Sequence, residues 1–241
     1  MTAFLALIRV TGKALLGRRR TLLIGLLGAL PILVAILIRI GGDRPDAAEV
    51  LDALVIRTVL PLVALVMGTA ALGSEIDDGT LIFQLLKPVP RWQIAIAKTL
   101  VAAALTAALV LPPMIITGVL LGGTGSSSIG LALGFTAAAF AGCVAYAVAF
   151  AALGLVTSRA LIVGLGYTLI WEGVLAGILE GTRFLSIRQA TLGLAAGLTG
   201  SEIGVEPLAM TASLVILAAV TVVGLTVATL RLRSFQVRAA D

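Results

Sequence analysis

The chain has 241 residues, 60% of them hydrophobic and 12% charged, where ordinary globular proteins carry about 25% charged residues. Such a composition cannot make a water-facing surface, and because apolar runs recur along the whole length there is no room for a separate soluble catalytic domain. The 17 Lys and Arg outnumber the 12 Asp and Glu, but they sit just outside apolar runs, which points to membrane topology and away from nucleic acid.

In chain order, the first element expected is a helix within residues 1–20. Its charges follow a short apolar stretch, so it does not read as a cleaved signal. It reads as an amphipathic helix lying on the inner membrane surface, with Phe4, Leu5, Ile8, Leu15 and Leu16 toward lipid and Arg9 and Lys13 toward water. Crossing the hydrocarbon core takes about 20 apolar residues, and six segments have that length: 21–40, 53–72, 97–121, 129–156, 161–179 and 207–230. The runs are continuous and do not alternate, so they are helices and not barrel strands. The expected fold is therefore all-α and integral to the membrane, a single domain over 1–241 with six transmembrane helices.

Twelve of the basic residues, from Arg9 to Arg238, fall on one side of this arrangement, and five (Arg39, Arg44, Arg57, Arg183 and Arg188) fall on the other. By the bias of basic residues toward the cytoplasm, both termini are expected inside. Within the spans, Pro31, Pro61, Pro112 and Pro113 are expected to kink or loosen their helices. Gly130 with Gly134, and Gly193 with Gly197, have the spacing that lets helices approach closely. The single cysteine, Cys143, lies in the apolar run AFAGCVAYAVAF, and there is no histidine, so an intramolecular disulfide, a multi-cysteine metal site and a His-based catalytic centre are excluded. Between spans five and six, residues 180–206 are too long for a turn, and the apolar stretch 192–198 is too short to span. Short external helices that dip into or lie along the outer membrane face are expected there, an arrangement tolerated where the backbone packs against protein.

Of the charged residues within the spans, where charge is costly and marks function by default, two stand out by their depth. Glu172 lies about seven residues, on the order of 10 Å, inside the outer end of span five. Arg57 lies about one turn inside the outer end of span two. Their similar depth suggests that they pair, or that Glu172 lines the exit half of a substrate path.

The inner connection from Gly73 to Lys98, GSEIDDGTLIFQLLKPVPRWQIAIAK, is the one long charged and patterned stretch on the cytoplasmic side. Ser74 with Asp77 suits a capping box, and Glu75, Asp77 and Asp78 complement the positive end of a helix dipole. Leu81, Leu85 and Leu86 form an apolar stripe, Pro88 and Pro90 stop the element, and Arg91 and Trp92 mark the membrane interface. A short capped helix between Ser74 and Pro88 is expected.

These residues resemble the motif of the type-2 permeases of ATP-binding-cassette (ABC) transporters: an acidic pair (Glu75, Asp77), Gly79-Thr80-Leu81, Leu85-Leu86, Pro88, Arg91 and a Lys at the head of the next span, Lys98. The departure is Ile76-Asp77, where that family often has Arg-Glu, which removes a basic group. The resemblance implies that the segment is a coupling helix contacting a separate ATPase subunit through Glu75, Asp77, Asp78, Gly79, Thr80, Leu81, Leu85, Pro88 and Arg91. It also implies two ATPase copies that bind ATP and Mg, a second permease subunit, identical or homologous, and export across the plasma membrane of a lipid, a drug-like amphiphile or a peptide. The chain carries no nucleotide site of its own, because its only Gly-Lys pair, Gly12-Lys13, lacks the upstream Gly and following Ser or Thr of a phosphate loop. No metal site and no cofactor in this chain are expected. The competing reading is an ion-coupled carrier or channel using Glu172. An intramembrane enzyme lacks the clustered catalytic side chains it would need.

Overall fold

A computed structural model describes residues 2–15, 17–42, 45–77, 90–123, 125–175, 180–201 and 207–234. All secondary structure among them is helical. Helix α1 (Thr2–Leu15) is followed by α2 (Arg18–Gly41), and a left-handed Gly42 ends α2, a conformation that glycine adopts without a Cβ penalty. Asp46 then caps α3 (Ala47–Val50) by accepting from the Ala48 N–H at 2.9 Å. The helix continues without a break through a π-helical section, Leu51–Val59, into α4 (Leu60–Asp77). Next come α5 (Arg91–Gly122), α6 (Ser126–Val156) and α7 (Ala160–Gly166), the last running on into a second π-helical section, Tyr167–Leu175. A 3-10 turn (Glu180–Leu185), α8 (Ile187–Thr199) and α9 (Met210–Ser234) complete the order.

Five of these helices are long and apolar enough to cross a membrane: Ile24–Gly41, Ala47–Gly73, Arg91–Gly122, Ser126–Val156 and Met210–Ser234. They fall where spans one to four and six are expected. The segment expected as span five is helical from Ala160 through Leu175 but shorter, and residues 176–179 lie outside the described residues.

The centre of the bundle is α6, which packs against α4, α5, α8 and α9. Its composition explains the position. Ala138, Ala139, Gly142, Cys143, Ala145, Ala147, Ala151 and Gly154 are buried and small, so neighbouring backbones come close with nothing but dispersion and packing to hold them. A Cβ on Gly68 of α4 would sit 2.9 Å from the Ala147 carbonyl oxygen, and one on Gly154 would sit 3.1 Å from the Thr69 carbonyl oxygen. Of the glycines picked out by spacing, Gly134, Gly193 and Gly197 do make close contacts, with Thr199, Leu208 and Met210 respectively, while nothing approaches Gly130 within 4 Å. Four threonines in these helices turn inward on their own backbone: Thr69, Thr99, Thr106 and Thr191 each donate to the carbonyl four residues back, at 2.6–2.8 Å. That satisfies a hydroxyl without an outside partner.

The prolines do not end their helices. α5 continues through Pro112 and Pro113, and α2 through Pro31. Pro61 has a clearer consequence, because it stands two residues after the first π-helical section. Proline has no N–H, and its ring crowds the carbonyl four residues back, which favours a wider preceding turn. In that section Thr58 donates to the carbonyl of Ala53, five residues back, at 2.9 Å.

Helix α1 corrects one expectation. Arg9 and Lys13 are exposed as read from the sequence. Leu15, however, is buried in the main core and Ile8 packs against it, so this part of the apolar face meets protein, chiefly α5, and not lipid. Ser74 is also displaced from its expected role: α4 runs on to Asp77, so Ser74 lies in its final turns and does not start a new helix. The rest of the expected coupling segment, residues 78–89, lies outside the described residues.

Candidate functional site

The two π-helical sections carry Asp52 and Arg57 in the first and Tyr167 and Glu172 in the second. In the second, Glu172 is buried, 2% exposed, and its partners come from α6, from its own π-helical section and from α8. Tyr146 of α6 donates its hydroxyl to Oε2. Tyr167 donates to Oε1 at 2.9 Å, and the backbone N–H groups of Ile187 and Arg188 donate to the same oxygen at 3.0 and 3.4 Å. Ile187 and Arg188 are the first two residues of α8, so Glu172 supplies the acceptor that two otherwise orphaned N–H groups need and places negative charge at the positive end of the helix dipole. Ser186 completes the cap by accepting from the Gln189 N–H at 3.1 Å.

The first π-helical section reaches the same turn of α8 by a second route. Arg188 contacts both carboxylate oxygens of Asp52, at 3.1 and 3.4 Å, with the two side chains 9% and 15% exposed. Arg57 does not pair with Glu172, which corrects the pairing inferred from depth. Its guanidinium donates to the carbonyl of the next residue, Gly173, at 3.0 Å and stays exposed. Sequence reasoning found Glu172 and Arg57 but missed Tyr146, Tyr167, Asp52 and Arg188. One signal was present: the chain has two tyrosines, and both bind Glu172.

Helix α8 itself is buried for ten residues, Ile187–Ala196. It packs on α6 and α9, with Gly142 against Thr191 and Gly193 against Leu208. The expected short helix after span five thus exists, and it is part of the core.

The other end of the bundle receives the two helices that flank residues 78–89. A second apolar cluster there joins Leu72 of α4, Ile94 and Ala95 of α5, Ala151, Ala152 and Leu155 of α6, and Ala228 and Leu232 of α9. Arg91, the first residue of α5, donates to the Leu232 carbonyl at 2.7 Å, which places a cation on a carbonyl in the last turn of α9. Lys98 is fully buried nearby along α5. Glu75 and Asp77 fall in the last turns of α4, while Asp78, Gly79, Thr80, Leu81, Leu85 and Pro88 lie outside the described residues. Replacing Arg91 with Ala should loosen the end of α9 by about 1 kcal/mol, the net worth of one such bond. Faster hydrogen exchange confined to residues 228–234 would show it; unchanged exchange there would mean that the bond contributes nothing.

An apolar groove of ≈ 410 Å³ runs between α6 and α9, lined by Ala149, Ala152, Val156, Val220, Gly224 and Val227 among others. It offers shape but no charged or hydrogen-bonding group.

No curated protein compared with the chain matches it. The family model described as ABC-2 family transporter protein matches residues 21–236, from the start of the first long apolar helix to just past the last. With apolar helices long enough to cross a membrane repeated along that whole match, the chain belongs to the ABC-2 transporter family and is a multi-pass membrane component of an ABC transporter.

Proposed function

We propose that the chain is a single-domain permease subunit of an ABC exporter in the plasma membrane, with six spans and both termini in the cytoplasm. Ala160–Leu175 belongs to the fifth span. Two copies of a separate ATPase subunit bind ATP and Mg and supply the hydrolysis, and a second permease, identical or homologous, completes the pathway. The cargo is a lipid, a drug-like amphiphile or a peptide.

One observation carries this reading beyond the family match. The helices on either side of residues 78–89 are both built into one cluster with α6 and α9, and Arg91 ties α5 directly to α9. A force applied by an ATPase to the connection between α4 and α5 therefore has packed routes into four helices, which is the physical form that coupling requires. The end of α4 carries the acidic pair, and the connection carries the Gly79-Thr80-Leu81 run and the paired leucines that the coupling-helix reading calls for. Glu172 supports the same reading by what it lacks. With four donors already on it, it does not resemble an open ion or proton site of a carrier.

The test is co-purification. Solubilised from its native membrane, the chain should bring down a nucleotide-binding subunit. Glu75→Arg or Gly79→Trp should reduce recovery of that subunit about tenfold or more while leaving the amount of folded permease unchanged, the scale expected when a central contact of an interface is lost. Full recovery with both variants would sink the coupling-helix assignment, and absence of any ATPase from the wild-type preparation would sink the permease reading.

A further inference from the structure

Helix α8 is held in two different ways on its two sides. Toward α6 and α9 the contacts are close approaches at glycines: Gly142 with the Thr191 side chain, Gly193 with the Leu208 carbonyl and the Ser213 hydroxyl, Gly197 with the Met210 side chain. Such seams are close-packed along the length of α8 and, among the described residues, contain no polar bond to another helix that a rotamer change would release. Toward the two π-helical sections, α8 is held at its first turn by side-chain polar bonds: Glu172 to the N–H groups of Ile187 and Arg188, and Asp52 to the Arg188 guanidinium. Bonds of that kind are made and broken by rotamer changes, and π-helical turns are frequent where a helix has to deform for function. Asp52 and Asp77 also stand at opposite ends of one continuous helix, on the order of 35 Å apart at helical rise. That helix leads from the ATPase-facing connection to the bolts on α8.

We infer that the first turn of α8 is a latch, in which α8 stays with α6 and α9 while the π-helical ends that bear Asp52 and Glu172 bend away from it. The bend releases these two side-chain bolts and the Tyr146 bond to Glu172, while the α4–α6 seam around Gly68 stays closed. The inference deepens the permease reading, since the parting would open the outer half of the pathway, but its structural content does not depend on an ATPase or a cargo.

Two reporter cysteines separate the two sides of α8, each in a Cys143→Ala background. Val55→Cys sits in the first π-helical section, buried and on an element that packs against α8. Thr191→Cys sits in the seam with Gly142. The readout is the labelling rate with a membrane-impermeant maleimide, applied to intact cells and separately to inverted vesicles. An inverted topology would then appear as labelling from the other face and would count against the topology alone. Asp52→Asn and Glu172→Gln should each raise labelling at position 55 at least about fivefold, the population change expected for losing one modest interaction. Labelling at 191 should not change. The exchanged pair Asp52→Arg with Arg188→Asp should return position 55 toward the slow rate of the parent. An unchanged rate at 55 in both bolt variants overturns the latch. An equal rise at 55 and 191 also overturns it, because α8 would then be loosening from the whole bundle.

Discussion

Replacing Glu172 with Ala is expected to destabilise the protein by about 3 kcal/mol, whereas Glu172→Gln costs about 1 kcal/mol. The alanine leaves two tyrosine hydroxyls and two helix N–H groups around one empty acceptor position, and each unpartnered buried group costs on the order of 1–3 kcal/mol. The costs do not add in full. The hydroxyls can rotate, and removing the acid also removes the cost of keeping it out of water. Glutamine keeps an oxygen that can accept from Ile187, Arg188 and Tyr167, and its amide can donate to the Tyr146 hydroxyl, so the main loss is the charge at the helix N-terminus, worth about 0.3–1 kcal/mol. Cys143 provides the measurement, being buried and the single thiol in the chain. Its reaction with a thiol-specific dye during a temperature ramp in detergent should begin markedly earlier in the alanine variant and only slightly earlier in the glutamine variant. Coincident curves for wild type and alanine would show that the four bonds are replaceable by water or by repacking.

Gly68→Leu should be at least as damaging, about 3 kcal/mol, the upper end of what overpacking costs in a well-packed core. The Cβ alone would lie 2.9 Å from the Ala147 carbonyl oxygen, 2.9 Å from the Phe150 Cβ and 3.2 Å from the Ala151 nitrogen. Most of these are main-chain atoms of a helix and cannot rotate away, so α4 and α6 would have to separate. Separation would also part Gly154 from the Thr69 carbonyl, the reciprocal contact two turns further along α6. Gly130→Ala is the matched control, since nothing lies within 4 Å of that position, and it should stay within about 0.5 kcal/mol of wild type. The same Cys143 assay reads both. Equal stability of Gly68→Leu and wild type would mean that the α4 and α6 backbones do not approach as closely as described.

The two expected losses differ in kind, and the difference bears on how the bundle works. The α4–α6 contact is steric and resists any change in spacing. The contacts on Glu172 and Asp52 are polar, few and confined to one turn of α8. A mutation in the first class should lower stability without favouring a particular alternative arrangement, while one in the second should favour one side of α8 letting go before the other.

Much of the architecture is legible in the sequence because its cause is local. A contiguous run of apolar residues lowers the cost of entering a bilayer residue by residue, so α2, α4, α5, α6 and α9 fall close to the positions read from run length alone. The family resemblance was equally local, resting on neighbouring residues between Glu75 and Lys98, and the family match bears it out. What sequence could not determine is non-local. Glu172 and Arg57 were picked out because charge in a span is expensive wherever it occurs, but which donors relieve that cost depends on chain segments far away. Tyr146 is 26 residues from Glu172, and Asp52 is 136 residues from Arg188. Equal depth suggested that Arg57 and Glu172 should meet, and depth is one coordinate of three: rotation about the helix axis turns Arg57 to the Gly173 carbonyl instead. The same limit applies to α8. Its half-length apolar stretch read correctly as a short helix, but only the glycine contacts with α6 and α9, together with the polar bonds at its first turn, make it part of the core.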